Sequence, residues 1–409
     1  MPSRSSTGRC CSASTPPAEL VTTVPAPAGA GGGTPPAPID LKAILLHMVR
    51  LGASDLHLKV GRPPTIRLHG DLLPLDQPAL RQEELRRLVE VLLPPVQLRE
   101  FAESREADFA ASLAGVGRFR INAYQQRGTV AFAIRAIPQA VSTVRELNLP
   151  PVLEEIAMRP RGLVLVTGVT GSGKSTALAA MLHHINEHQR CNIITVEDPI
   201  EFVHRDVRSH INQREVGTDT GTFSQALRRV LRQDPDVLMI GEIRDLESLE
   251  VALKAAGTGH LVFSTLHTID ATSTINRVLS FFPPHQQNEV RFALAHALSA
   301  VVSLRLVPRI DRPGRVPACE VLVNTEAVRD QIRDMHSTLN IPDLIKEGSV
   351  AYGMQSFDQS LMRWYGQGVI SHDQALLNAT NPAEFALKLQ GVDGSSDNSW
   401  DGFGVPPGH

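Results

Sequence analysis

The stretch Arg161-Gly-Leu-Val-Leu-Val-Thr-Gly-Val-Thr-Gly-Ser-Gly-Lys-Ser-Thr176 holds a strand, a turn and a helix start in sixteen consecutive residues. Leu163 to Val166 is a short apolar run, the pattern of a buried strand. Gly168 to Ser175 fits G-x-x-x-x-G-K-[S/T] at every fixed position, and the helix formers Ala177 to Leu182 follow. Glycines let a backbone curl tightly and turn successive N–H groups inward, and the helix start adds its positive end to that field. Gly168, Val169, Thr170, Gly171, Ser172, Gly173, Lys174, Ser175 and Thr176 therefore read as a cradle for a nucleoside triphosphate. Lys174 would reach the β- and γ-phosphates, and the Ser175 hydroxyl would ligate Mg²⁺.

Downstream of the cradle, apolar segments alternate with helical ones. Strands are expected at 163–167, 192–197, 237–240 and 261–265, and helices near 174–187, 222–232 and 246–256. This alternation predicts a mostly parallel sheet covered on both faces, an α/β fold. Ligands in such sheets collect at the carboxyl ends of strands. Glu242 ends the apolar run 237–240, on a strand expected to lie beside the cradle strand, and would hold Mg²⁺ through water. Glu197, Asp198 and Glu201 close the preceding strand; spacing alone leaves open which acid polarises water. His260 and His267 flank the 261–265 strand, both expected near the phosphate edge. A single histidine there is more often structural; a pair makes a γ-phosphate sensor a competing reading.

The chain has 409 residues, 42% of them hydrophobic, which suits two or three packed domains. A net charge of −3 carries no global basic signal for nucleic acid. Four cysteines, Cys10, Cys11, Cys191 and Cys319, form no metal-type spacing and no secreted disulfide framework, which fits a reducing cytosol. No apolar run approaches the roughly 18 residues of a membrane span. Residues 1–37 are rich in Ser, Pro, Ala and Gly and read as a flexible tail, as do 391–409. Between 38 and 137 helical spacing after Asp40, alternation in 54–60, a hairpin around Gly70-Asp71, a helix from 82 to about 93, and paired strands 117–124 and 129–135 predict a small α+β domain. Residues 138–148 read as a linker and 149–390 as the nucleotide-binding domain. Arg118, Arg120 and Arg135 fall on the paired strands; a solvated basic face is the plain explanation, and arginines donated to a neighbour's triphosphate in a ring the sharper one.

These residues also carry a family resemblance. Leu231-Arg-Gln-Asp-Pro-Asp-Val-Leu-Met-Ile-Gly-Glu-Ile-Arg-Asp245, Glu197-Asp-Pro-Ile-Glu-Phe202 and Gly259-His-Leu-Val-Phe-Ser-Thr-Leu-His267 resemble the Walker B region, Asp box and His box of the secretion-type ATPases, the motors of type II secretion and type IV pili. Segments 52–58, 117–122, 212–217, 327–334 and 353–358 are similar to its pilus-retraction branch, so the resemblance spans about 38–390. It implies a PAS-like domain before a RecA-like P-loop ATPase core, using ATP and Mg²⁺, in a homo-hexamer with nucleotide between the two domains. By position it makes Glu201 the catalytic glutamate, Glu242 the Walker B acid and metal ligand with Ser175, and His267 the His-box residue. Arg118, Arg120 and Arg135 align with arginines that approach nucleotide from the small domain. Implied partners are an inner-membrane pilus platform protein and a paralogous motor, with the ring in the cytoplasm at the inner membrane face, shortening pili for twitching motility.

Val169 stands where the family usually has proline, and Gly257 where a glutamate is common. Competing readings are an assembly motor, disfavoured because no four-cysteine zinc insert is present, a RecA-like DNA translocase, and an accessory ring dependent on another motor.

Overall fold

The computed structural model describes residues 39–138, 140–334 and 340–389; the tails read into 1–37 and 391–409 lie outside them. The chain divides into two units between Ile137 and Pro138.

In the first unit α1 (Leu41–Leu51) starts where the Asp40 carboxylate accepts from Ala43 N and stops where Gly52 turns left-handed at φ 71°. The sheet strands are β1 (Asp55–Lys59), β2 (Thr65–Leu68) and β3 (Asp71–Pro74), then, after α2 (Gln82–Leu92) and α3 (Pro95–Ser104), β4 (Glu106–Leu113), β5 (Gly117–Gln126) and β6 (Thr129–Ile137). All pairs are antiparallel, in the order β3-β2-β1-β6-β5-β4. Leu56, Leu58, Phe119, Ile121 and Ile134 bury one sheet face together with Ile44, Met48 and Leu85 of the helices. α3 and β4 were not expected from the sequence. Pro94-Pro95 reads as a breaker, yet Pro95 sits in the first turn of α3, where its missing N–H is not needed.

The second unit begins with α4 (Val152–Ala157); Val144, in the stretch read as a linker, is buried in its core. Then follow β7 (Gly162–Thr167), α5 (Lys174–His188), β8 (Asn192–Glu197), β9 (His210–Glu215), α6 (Phe223–Val230), β10 (Val237–Ile240), α7 (Leu246–Gly257), β11 (Leu261–Leu266), α8 (Ala271–Ser280), α9 (Gln287–Ala297), β12 (Leu298–Pro308) and β13 (Arg315–Val323). β7, β10 and β11 are buried at every position, the mark of strands covered on both faces. The order is β13-β12-β7-β11-β10-β8-β9, parallel throughout except for β13. The Glu242 strand was expected beside the cradle strand; it is not its neighbour, because β11 lies between them. Edge strand β9 was also missed, because its sequence His-Ile-Asn-Gln-Arg-Glu is mostly polar.

α10 (Glu326–Arg333), α11 (Ile341–Glu347), α12 (Ser349–Tyr352), α13 (Phe357–Gly366), α14 (His372–Asn378) and α15 (Pro382–Leu389) complete the unit. α13 packs Phe357, Leu361 and Trp364 on Val307 and Val316 in a separate small core, where Trp364 Nε1 donates to Pro317 O at 2.8 Å.

Candidate active site

The cradle leaves β7 after Thr167, whose hydroxyl is tied to Ser303 Oγ at 2.9 Å on β12. Gly168, at φ 142°, has no room for a side chain: a Cβ would lie 2.6 Å from Leu304 O and collide with Ser172 Oγ. Gly171 and Gly173 also take positive φ, 78° and 96°, so the backbone curls back on itself. Gly173 opens α5 without a side-chain cap, whereas Thr222, Asp245 and Asp270 each cap the helix they precede. The first N–H groups of α5 thus remain directed at the loop's concavity. Ser172 Oγ is buried there and unpartnered within the protein. Lys174 is 9% exposed and donates to Gly168 O (2.8 Å) and Val169 O (3.1 Å). Burial pushes its ammonium below the ordinary lysine range, and the charges of Glu242 and Glu201 partly restore it. Those two acids and the cradle lysine therefore share one electrostatic neighbourhood.

Glu242 lies just past β10, where Gly241 lets it pass close to β8: a Cβ at 241 would stand 3.3 Å from Val196 O. Its carboxylate is held from two sides. His267 Nε2 is 3.1 Å from Oε1, and Arg244 Nε donates to Oε2 at 3.0 Å. Arg244 also reaches Asp198 Oδ2 at 3.7 Å. Arg244 was not singled out from the sequence, although it stands two residues beyond Glu242 in the same motif; that proximity was the available signal. Glu197 is buried, and burial pushes its carboxyl above the usual range against donors from Thr195 Oγ1 (2.7 Å), Gln213 Nε2 (3.1 Å) and Glu201 N (3.4 Å). It belongs beneath the site, while the Glu201 side chain is exposed at its surface.

His260 is not at this edge. It precedes β11, where its carbonyl accepts from Gly162 N at the start of β7 (3.0 Å) and its Nδ1 meets Ala255 O (3.0 Å). It closes the end of α7, at the amino end of the strands, so its pairing with His267 at the phosphate edge is corrected. In the first unit Arg118 and Arg120 alternate with buried Phe119 and Ile121, and Arg120 sits directly opposite Arg135. Arg135 Nε donates to Asp55 Oδ1 at 2.8 Å. The Asp55 carboxyl lies below its ordinary value: burial opposes this, and Ser54 and Arg135 outweigh it.

ATP and Mg²⁺ fit what is present. Ser172 Oγ is buried and unpartnered, Gly168 leaves no room for a Cβ, and the Ser175 hydroxyl and the Glu242 carboxylate are donors of the oxygen type Mg²⁺ takes. Among the described residues no group of three or more His, Cys, Asp or Glu side chains is placed to hold a metal ion by itself.

The family described as Type II/IV secretion system protein matches residues 33–347. The type IV pilus retraction ATPase PilT of Pseudomonas aeruginosa is 43% identical over 347 residues, 85% of this chain and 100% of that protein. The type IV pilus ATPase PilU of the same organism is 40% identical, over 86% of this chain and 92% of its own length. A crystal structure of the pilus retraction motor PilT with bound ADP superimposes with a TM-score of 0.78 at 41% identity, covering 85% of this chain and 98% of that one. The chain belongs to the Type II/IV secretion system protein family, whose members include the PilT motors.

Proposed function

We propose that this chain is the ATP-hydrolysing motor subunit of a type IV pilus-retraction machine. The observation that carries this reading is that Lys174 of the cradle feels the charges of both Glu242 and Glu201, in a chain that matches all of PilT with 85% of its own length. Lys174 would bind the terminal phosphates, and the N–H groups of residues 171–175 would cradle them. Glu201 would accept the proton of the attacking water. Ser175 and Glu242 would hold Mg²⁺, which supplies neutralising charge to the phosphate oxygens. His267 and Arg244 would fix the two Glu242 oxygens, so that the acid does not swing away when charge shifts. Arg118, Arg120 and Arg135 would be supplied to a neighbouring copy's nucleotide in a homo-hexameric ring. The ring would work in the cytoplasm, against a platform protein of the inner membrane. Among the described residues no helix is long and apolar enough to cross a membrane.

The test is ATP turnover by the purified chain, abolished in Lys174→Ala, together with loss of pilus retraction in a deletion strain. The similarity to PilU supports a second reading, an accessory ring working beside another motor. Robust turnover and retraction with this chain as the sole motor favour the first reading; retraction only in the presence of a paralogue favours the second.

A further inference from the structure

The segment that carries Glu201 has no regular secondary structure between β8 and residue 204, yet side chains hold its backbone at residues 200, 201, 202 and 204. The holding groups come from one patch of the sheet. Thr195 is opposite Gln213 and Glu197 opposite Glu215, so these four side chains share one face at the carboxyl end of β8 and β9. Ile200 N donates to Glu215 Oε2 at 3.1 Å, and Glu201 N to Glu197 Oε2 at 3.4 Å. Gln213 Nε2 donates to Phe202 O at 2.8 Å, and His204 N donates to Gln213 Oε1 at 2.9 Å. The same Gln213 nitrogen donates to Glu197 Oε1 at 3.1 Å.

We propose that Gln213 is the positioning residue for Glu201: one side-chain amide clamps the backbone just after Glu201 and orients the carboxylate that grips the Glu201 amide in front. This deepens the reading of Glu201 as the proton acceptor and rests on it. The clamp needs a donor and an acceptor on one planar group, because Phe202 offers a carbonyl and His204 an N–H. An ionised carboxylate supplies no donor, and a methyl group supplies neither. Gln213 itself is on the edge strand β9, four places from the cradle strand β7 in the sheet, so its effect on turnover would pass through the placement of Glu201. A general base displaced by a fraction of an ångström to one ångström loses rate without losing nucleotide.

The experiment measures ATP turnover and ADP affinity of the full chain, with Glu201→Gln, Gln213→Ala and Gln213→Glu. Gln213→Ala is expected to lower kcat roughly 10- to 100-fold while ADP affinity stays within about twofold. Gln213→Glu keeps the size and the acceptor for His204 N. Its turnover is expected to be low near about pH 8 and to recover as the pH falls toward about 6, where a protonated carboxyl again donates to Phe202 O or Glu197. Wild-type kcat in Gln213→Ala, with Glu201→Gln inactive, overturns the clamp and leaves the reading of Glu201 standing. Parallel loss of turnover and ADP affinity, with the wild-type pH profile in Gln213→Glu, also overturns it, since that is what a merely structural role gives. If Gln213→Ala does not fold, the pH profile of Gln213→Glu decides alone. Full activity in Glu201→Gln overturns the underlying assignment, and the clamp's purpose with it.

Discussion

His267 Nε2 stands 3.1 Å from Glu242 Oε1, joining the carboxyl ends of neighbouring strands β11 and β10. The contact exists because β11 runs between the cradle strand and β10, so that its last turn outward falls on the acid. Arg244 grips the other oxygen of the same carboxylate. His267→Ala is expected to lower kcat about tenfold or more with little change in ADP affinity. His267→Gln, which can still donate to Glu242, should recover part of the rate. Single-turnover kinetics beside ADP titration check this, and a loss of affinity equal to the loss of rate would contradict it.

Gly168→Ala places a methyl group 2.6 Å from Leu304 O and against Ser172 Oγ. Neither neighbour can retreat freely, since Leu304 is on a central strand and Ser172 is part of the loop. The loop must open instead, and nucleotide affinity is expected to fall at least about tenfold. The core lies elsewhere, so far-ultraviolet circular dichroism should not change. Binding of a fluorescent ADP analogue measures the effect.

Glu320 gives stability a pH slope. It is almost fully buried on β13, accepts from Ala271 N at 2.8 Å, and is pushed by burial to about 7 from 4.5. Between those values the folded protein keeps a proton that the unfolded chain has released. Its contribution to stability therefore falls as pH rises from about 4.5 to 7 and stays low above that. Glu320→Gln keeps the acceptor and removes the charge. It should melt several degrees higher than wild type at pH 8, a gain on the order of 2–3 kcal/mol, and show little difference at pH 5. His204, lowered by burial to about 4, slopes the other way: its contribution is lost as pH falls from 6.5 toward 4. Melting curves of wild type and variant across this range separate the two.

The arginine face of the first unit makes a mixing test possible. Arg120 lies directly across from Arg135, and Arg135 is already engaged by Asp55. Arg120→Ala is expected to reduce turnover roughly 10-fold or more if its charge reaches a neighbour's triphosphate in a ring. Mixed with the inactive Lys174→Ala protein, it should regain part of the rate, because an intact cradle and an intact arginine then meet at some interfaces. No gain on mixing would contradict donation of Arg120 to a neighbouring copy's triphosphate.

Several elements were legible from a few consecutive residues. The cradle is one, because its function is backbone curvature and N–H direction, both set by local glycines. α1 is another, with a capping Asp40 and a terminating Gly52 at its ends. α3 was hidden by Pro94-Pro95, which breaks a helix in its middle and starts one at its head. β9 was hidden by its polar edge composition, and Gln213 with it, since nothing near Gln213 in sequence marks a clamp on residues 202 and 204.

From the amino-acid order alone came the nucleotide cradle, the alternating α/β architecture behind a small α+β unit, and the acids at strand ends. Each of these depends on interactions among neighbours along the chain. The order of strands in the sheet depends instead on how crossover helices pack, and only the folded chain decides it. That packing set β11 between β7 and β10 and so brought His267 to Glu242. It also left His260 at the far end of the same strand, about 20 Å away at roughly 3.3 Å per residue, where it caps a helix.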